Sequence, residues 1–139
     1  MEKKKAYEKP RLEKSSFSGA EMKSFDGSCG VTAVFIPEQV SSIKEGAFRG
    51  CRQIRSVIIS KGVDRIEREA FLDCGDLTIY CEAKTQPIGW DKNWNSSKRP
   101  VYWYSEEEPA LNEEGTAYEG NFWKYNKNGE VVLWEKGKD

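Results

Sequence analysis

Residues 34–77 read VFIPEQVSSIKEGAFRGCRQIRSVIISKGVDRIEREAFLDCGDL, and they state one pattern twice. Setting Ala33 over Ser56 gives an offset of 23 residues. Val34/Val57, Ile36/Ile59, Val40/Val63, Ile43/Ile66, Ala47/Ala70, Phe48/Phe71, Cys51/Cys74 and Ile54/Leu77 then align without a gap. The polar positions between them change freely. Apolar residues held at a fixed period describe a solenoid. One coil is too thin to bury its own apolar edge, so neighbouring coils must stack.

The local pattern assigns each part of a coil. Val57-x-Ile59 alternates, as a short strand with one buried face does. Val63-x-x-Ile66 turns inward again. Ser42 with Glu45, and Asp64 with Glu67, have the spacing of a capping box. A short helical turn is therefore expected next, carrying Ala70 and Phe71 inward. Gly50 and Asp73 suit the turn back to the next strand. Backwards by 23, Phe25-Asp-Gly27 and Val31 mark a worn coil over 24–32. Forwards, Leu77-Thr-Ile79-Tyr80-Cys81 is a shortened strand, and a further one is expected at Pro100-Val101-Tyr102-Trp103-Tyr104.

The period near 23 falls within the roughly 20–29 residues of leucine-rich repeats. Ile-Pro-x-x-Val-x-x-Ile-x-x-x-Ala-Phe-x-Gly-Cys-x-x-Ile, from Ile36 to Ile54, resembles the BspA-like leucine-rich repeat of bacterial surface proteins. IYCEAKTQPIGWDKNWNSSKRPVYW (79–103) resembles the segment that closes such repeats. YSEEEPALNEEGTAYEGNFWKYNKNGEVVLW (104–134) is similar to the tail that often follows. The resemblance spans about 24–134. It implies a cell-surface or secreted interaction module.

The resemblance also implies the strand direction, and alternation then sorts the faces. Val34, Ile36, Val57, Ile59, Ile79 and Cys81 are expected inside the coil. Phe35, Ile58 and Tyr80 point outward, joined by Tyr102 if the sheet continues. In solenoids the strand face is the usual binding surface. The stripe is therefore either a protein-binding site, flanked by Arg55 in the file Thr32–Arg55–Thr78, or ordinary cross-strand packing, or a face hidden beneath the tail.

Trp90 and Trp94 stand four apart, on one face of a short helical turn. They read as a cap on the last coil. In the tail, Phe122–Tyr125 and Val131–Trp134 flank Asn128-Gly129, the preferred centre of a type I′ turn. That turn pairs Tyr125 with Val132 and Trp123 with Trp134. The resulting aromatic face is expected to pack on the cap. The rival use of these rings is carbohydrate or cell-wall binding through Trp90, Trp94, Trp123 and Tyr125. The carboxylates Glu106–Glu108 and Glu113-Glu114 read as a solvated linker rather than a metal or acid/base site.

Composition narrows the functions. The chain has 139 residues and no histidine, which removes imidazole-based catalysis and histidine zinc sites. A net charge of −1 offers nothing to nucleic acid. Cys29, Cys51, Cys74 and Cys81 form no C-x-x-C pair, and the equivalence of Cys51 and Cys74 suggests stacked buried thiols. No apolar run is long enough for membrane insertion. The opening MEKKKAYEKPRLEKSSF has no apolar stretch behind its basic start, so as written the chain is expected to be cytoplasmic.

The expected fold is an α+β repeat: a short leucine-rich-repeat solenoid of about two complete coils plus partial ones, with an aromatic cap and a β-hairpin. Residues 1–23 are expected to be a flexible segment, 24–104 the solenoid with its cap, and 105–139 an acidic linker and tail. The expected function is non-enzymatic binding of a protein partner, with no cofactor and no metal. The alternatives are a cell-wall glycan ligand and a truncated repeat protein without a ligand.

Overall fold

In the computed structural model, residues 21–22 and 31–136 are described. The strands are Glu21–Met22 (β1), Ala33–Ile36 (β2), Ser42–Ile43 (β3), Ser56–Ile59 (β4) and Arg65–Ile66 (β5). Then come Thr78–Cys81 (β6), Val101–Tyr104 (β7), Phe122–Tyr125 (β8) and Val131–Leu133 (β9). They build a β-solenoid of about four turns. One sheet has the order β2-β4-β6-β7-β8-β9, and a smaller one the order β1-β3-β5.

The repeat alignment is the strand register. Ala33 lies beside Ser56 and Ile36 beside Ile59, in parallel strands. Every residue of the eight aligned pairs is buried. β6 arrives one residue early, with Ser56 beside Thr78 and Ile59 beside Cys81. Glu21 pairs with Ser42 and Met22 with Ile43, so the smaller sheet reaches back into the segment expected to be flexible. The remainder of residues 1–23 and residues 24–30 of the expected worn coil, Cys29 among them, lie outside the described residues.

One element differs from expectation. No helix occurs among the described residues, and the expected helical segments are tight turns. The Glu67 side chain does not reach back to cap its own turn. It crosses to the preceding coil, accepting from the Glu45 N–H at 3.1 Å and pairing with Lys44 at 3.1 Å. That hydrogen bond with Lys44 is the main reason its carboxyl is held below the usual value. Stacked coils offer cross-coil partners of this kind, such as Phe48 N–H to the Ala70 carbonyl at 2.7 Å, beside short within-turn bonds such as Ala47 N–H to the Lys44 carbonyl at 3.1 Å. Arg68–Glu45 (3.2 Å) and Arg49–Glu69 (2.6 Å) repeat the arrangement. Each such exposed pair contributes about 0–1 kcal/mol.

The turns carry the rings inward as the pattern predicts. Phe48 stacks on Phe71 with centroids 5.0 Å apart, and Phe71 meets the edge of Trp94 at 6.2 Å. Gly50 and Asp73 hold positive φ angles of 75° and 59° at the turn back. Cys51, Cys74 and Cys81 are all buried, Cys74 and Cys81 as free thiols. The Cys74 thiol donates to the Phe48 carbonyl at 2.9 Å, and burial pushes its pKa up to about 11. No helix of the described residues is long and apolar enough to cross a membrane.

The last coil is closed by the tryptophans. Trp90 bridges Ile66, and its indole N–H donates to the Val63 carbonyl at 3.1 Å. Trp94 lies edge-on to it, 4.8 Å away, and donates to Gln86 at 3.2 Å. This close seat depends on Gly89. A Cβ there would lie 2.3 Å from the Asp64 carbonyl oxygen. Backbone cannot give way as a flexible side chain can. Gly89→Ala should cost about 1–3 kcal/mol in urea unfolding, as overpacking does.

Candidate functional site

The strand face carries the row that alternation predicts. Phe35 lies beside Ile58, Ile58 beside Tyr80, and Tyr80 beside Tyr102. Tyr80 and Tyr102 stack at 5.6 Å. Yet Ile58 is 3% exposed and Tyr80 7%. Of the three readings of this stripe, the one in which the tail lies over it matches the structure. Phe35 and Tyr102 are half-buried, whereas Arg55, paired with Asp76 at 3.2 Å, is exposed, as is Thr32 in the same file.

The cover is the β8–β9 hairpin. β8 joins the edge of the sheet in parallel, with Trp103 beside Phe122 and Tyr104 beside Trp123. The sheet then bends back over its own face. Trp123 is fully buried, edge-on to Tyr80 at 5.7 Å, and its indole N–H donates to the Cys81 carbonyl at 2.8 Å. Val131 completes this second cluster, with Leu133, Tyr104 and Tyr125 around it. The hairpin was expected on the tryptophan cap. It sits on the strand face because the ladder with β7 carries it there.

The hairpin register also differs from expectation. Trp123 faces Leu133 and Tyr125 faces Val131, one residue away from the register of a two-residue type I′ turn. Asn126 is the cause. Its side-chain oxygen accepts from the N–H groups of Asn128 (2.8 Å) and Glu130 (3.0 Å). Asn126 N–H donates to the Glu130 carbonyl at 2.9 Å, and Gly129 takes a φ of 78°. This is a three-residue loop ending on a left-handed glycine. A one-residue shift exchanges the faces. Trp134 therefore leaves the covered face and stacks under the Lys124 ammonium, 4.7 Å from its ring centroid.

The same geometry removes the aromatic rings proposed for sugar stacking. Trp90 and Trp94 are each 4% exposed, and Trp123 is fully buried. A sugar stacks on an accessible ring face, and these three are occupied by protein. Tyr125 is half-buried and borders an opening.

That opening is a groove of about 650 Å³ where the cover meets the ends of the first strands. Phe35, Glu38 and Lys61 form one side, and Tyr104 and Tyr125 the other. Glu82 lies between them and accepts from the Tyr125 hydroxyl at 2.5 Å. Burial, reinforced by the Glu82 carboxylate, pushes the Tyr125 phenol well up. Tyr104 donates to Glu106. Glu38 and Lys61 are equivalent positions of successive repeats, so the alignment contained that file. Nothing local pointed to Glu82 or Tyr104, because the groove they line is closed by the Tyr125 of the docked hairpin. Among the described residues no cluster of three or more Cys, Asp or Glu side chains could hold a metal ion.

Comparison with known proteins agrees with this architecture. No curated protein and no solved structure matches the chain. The family described as BspA type Leucine rich repeat region (6 copies) matches residues 12–91, more than half of the 139. A solenoid of this kind fits a protein-interaction module in general, and its family is typically non-enzymatic. With the 23-residue register, the stacked Phe48 and Phe71 and the matched repeat region in agreement, this chain belongs to the BspA type leucine-rich-repeat family.

Proposed function

We propose that this chain is a non-enzymatic binding module for a protein partner. Its contact surface is the groove beside Phe35, extended along the exposed file that holds Arg55. The groove is the observation that supports this reading. It lies next to the strand face and mixes aromatic rings with Glu38, Lys61 and Glu82. Aromatic anchors within a polar rim are the usual anatomy of a protein interface. Ile58 and Tyr80 act here as the floor beneath the hairpin, and Tyr102 as its margin.

The test compares the wild type with Phe35→Glu and Lys61→Glu variants in capture from cell extracts, followed by a titration of any captured protein once purified. We expect a partner that binds the wild type and loses at least tenfold in affinity with each variant. Equal affinity for all three chains would place the surface elsewhere. Saturable quenching of tyrosine emission by neutral oligosaccharides, with no protein bound, would favour a glycan ligand. The absence of any ligand would favour the truncated-repeat reading.

A further inference from the structure

The hairpin covers the strand face through contacts that all lie beyond one long connection. It brings Trp123 and Val131 to Ile58 and Tyr80, in a cluster separate from the solenoid core. Its other ties are the β7–β8 ladder, Trp123 to the Cys81 carbonyl, Tyr125 to Glu82, and the Trp134 indole to the Ser105 carbonyl at 2.8 Å. Residues 105–121 join β7 to β8, and none of them is buried. Several of their bonds are local, such as the Leu111–Tyr118 bridge and the turn held by Asn112. Fully extended, a connection of this length reaches about 55 Å.

The seat would therefore be filled equally well by a hairpin from another molecule. We propose that the strand face is a receptor for an aromatic hairpin, and that a second copy of this chain supplies one, forming a reciprocal hairpin-exchanged dimer. The closed and exchanged forms make the same contacts at the seat. They differ in the local bonds of the connection and in the advantage of the tether. A short flexible tether holds its ligand at an effective concentration in the mM range. The closed monomer therefore dominates at micromolar concentration, and exchange is expected when the tether is shortened or the chains refold crowded together. Exchange of an identical element is a low-cost route to a dimer.

Shortening the connection makes the test. A parallel crossover needs about a dozen residues or more. Deleting residues 108–117 leaves fewer than that, so the hairpin cannot close on its own sheet. Size-exclusion chromatography with light scattering should find this variant dimeric, with the far-UV spectrum and the buried-tryptophan emission of the parent. Adding Trp123→Ala should return it to a monomer. A monomeric deletion variant, or a dimer that persists without Trp123, would overturn the proposal.

A second measurement covers the case in which the deletion fails to fold. Light and heavy-isotope copies of the unaltered chain are refolded together at millimolar concentration and cross-linked. Hairpin-to-repeat cross-links joining a light and a heavy peptide are expected. Cross-links confined to one isotope would refute the exchange.

Discussion

Phe71→Ala should lower the free energy of unfolding by about 3–5 kcal/mol, the range for a fully buried phenylalanine. Phe71 is 1% exposed, stacked on Phe48 at 5.0 Å and edge-on to Trp94 at 6.2 Å. It is the step between the repeats and the cap. Removing it opens a cavity between stacked coils, and a solenoid is held together by such nearest-neighbour contacts. Domains of this size have about 5–15 kcal/mol in total. Urea titration should show the midpoint falling with little change in slope. A loss below about 1 kcal/mol would mean the ring is not core, contrary to the register derived from the repeat.

Trp123→Ala removes as much buried surface and should also cost about 3–5 kcal/mol locally. Its effect should be distributed differently. Trp123 belongs to the cluster beneath the hairpin and shares no residue with the solenoid core. Its loss also leaves the Cys81 carbonyl without the 2.8 Å indole donor. The hairpin should undock, because an isolated two-stranded hairpin is marginal in water. Hydrogen exchange is the discriminating measurement. Protection should vanish over β8 and β9, while the coils that carry Phe48 and Phe71 keep theirs. Uniform loss across the chain would mean that the two clusters unfold as one unit. Unchanged protection over the hairpin would mean that Trp123 does not anchor it.

The contrast between these two residues follows how each was read. Phe71 was visible because it recurs. Its equivalence to Phe48 in the repeat places it inside the coil. Trp123 was visible only as part of a hairpin with an aromatic face. The sequence does not encode locally what that face meets, and the cap was as good a surface as the stripe. The hairpin register failed for a related reason. Asn128-Gly129 is a strong local turn signal, but the side chain of Asn126 competes for the same backbone N–H groups and moves the pairing by one residue. The groove was half legible. Glu38 and Lys61 follow from the repeat, whereas Tyr125 reaches it only because β8 docks beside β7.

By itself, the sequence determined the solenoid, the period, the parallel register of β2 with β4 and the inward and outward faces of the repeat strands. These are short-range properties: alternation fixes the face and repetition fixes the neighbour. Only the tertiary structure decided that the outward row is covered, that non-helical turns stand where a helical turn was expected, and that a groove opens at the margin of the cover. Those outcomes depend on contacts between residues far apart in the chain, such as Trp123 with Cys81 and Tyr125 with Glu82, whose strength appears only when the bending sheet brings them together.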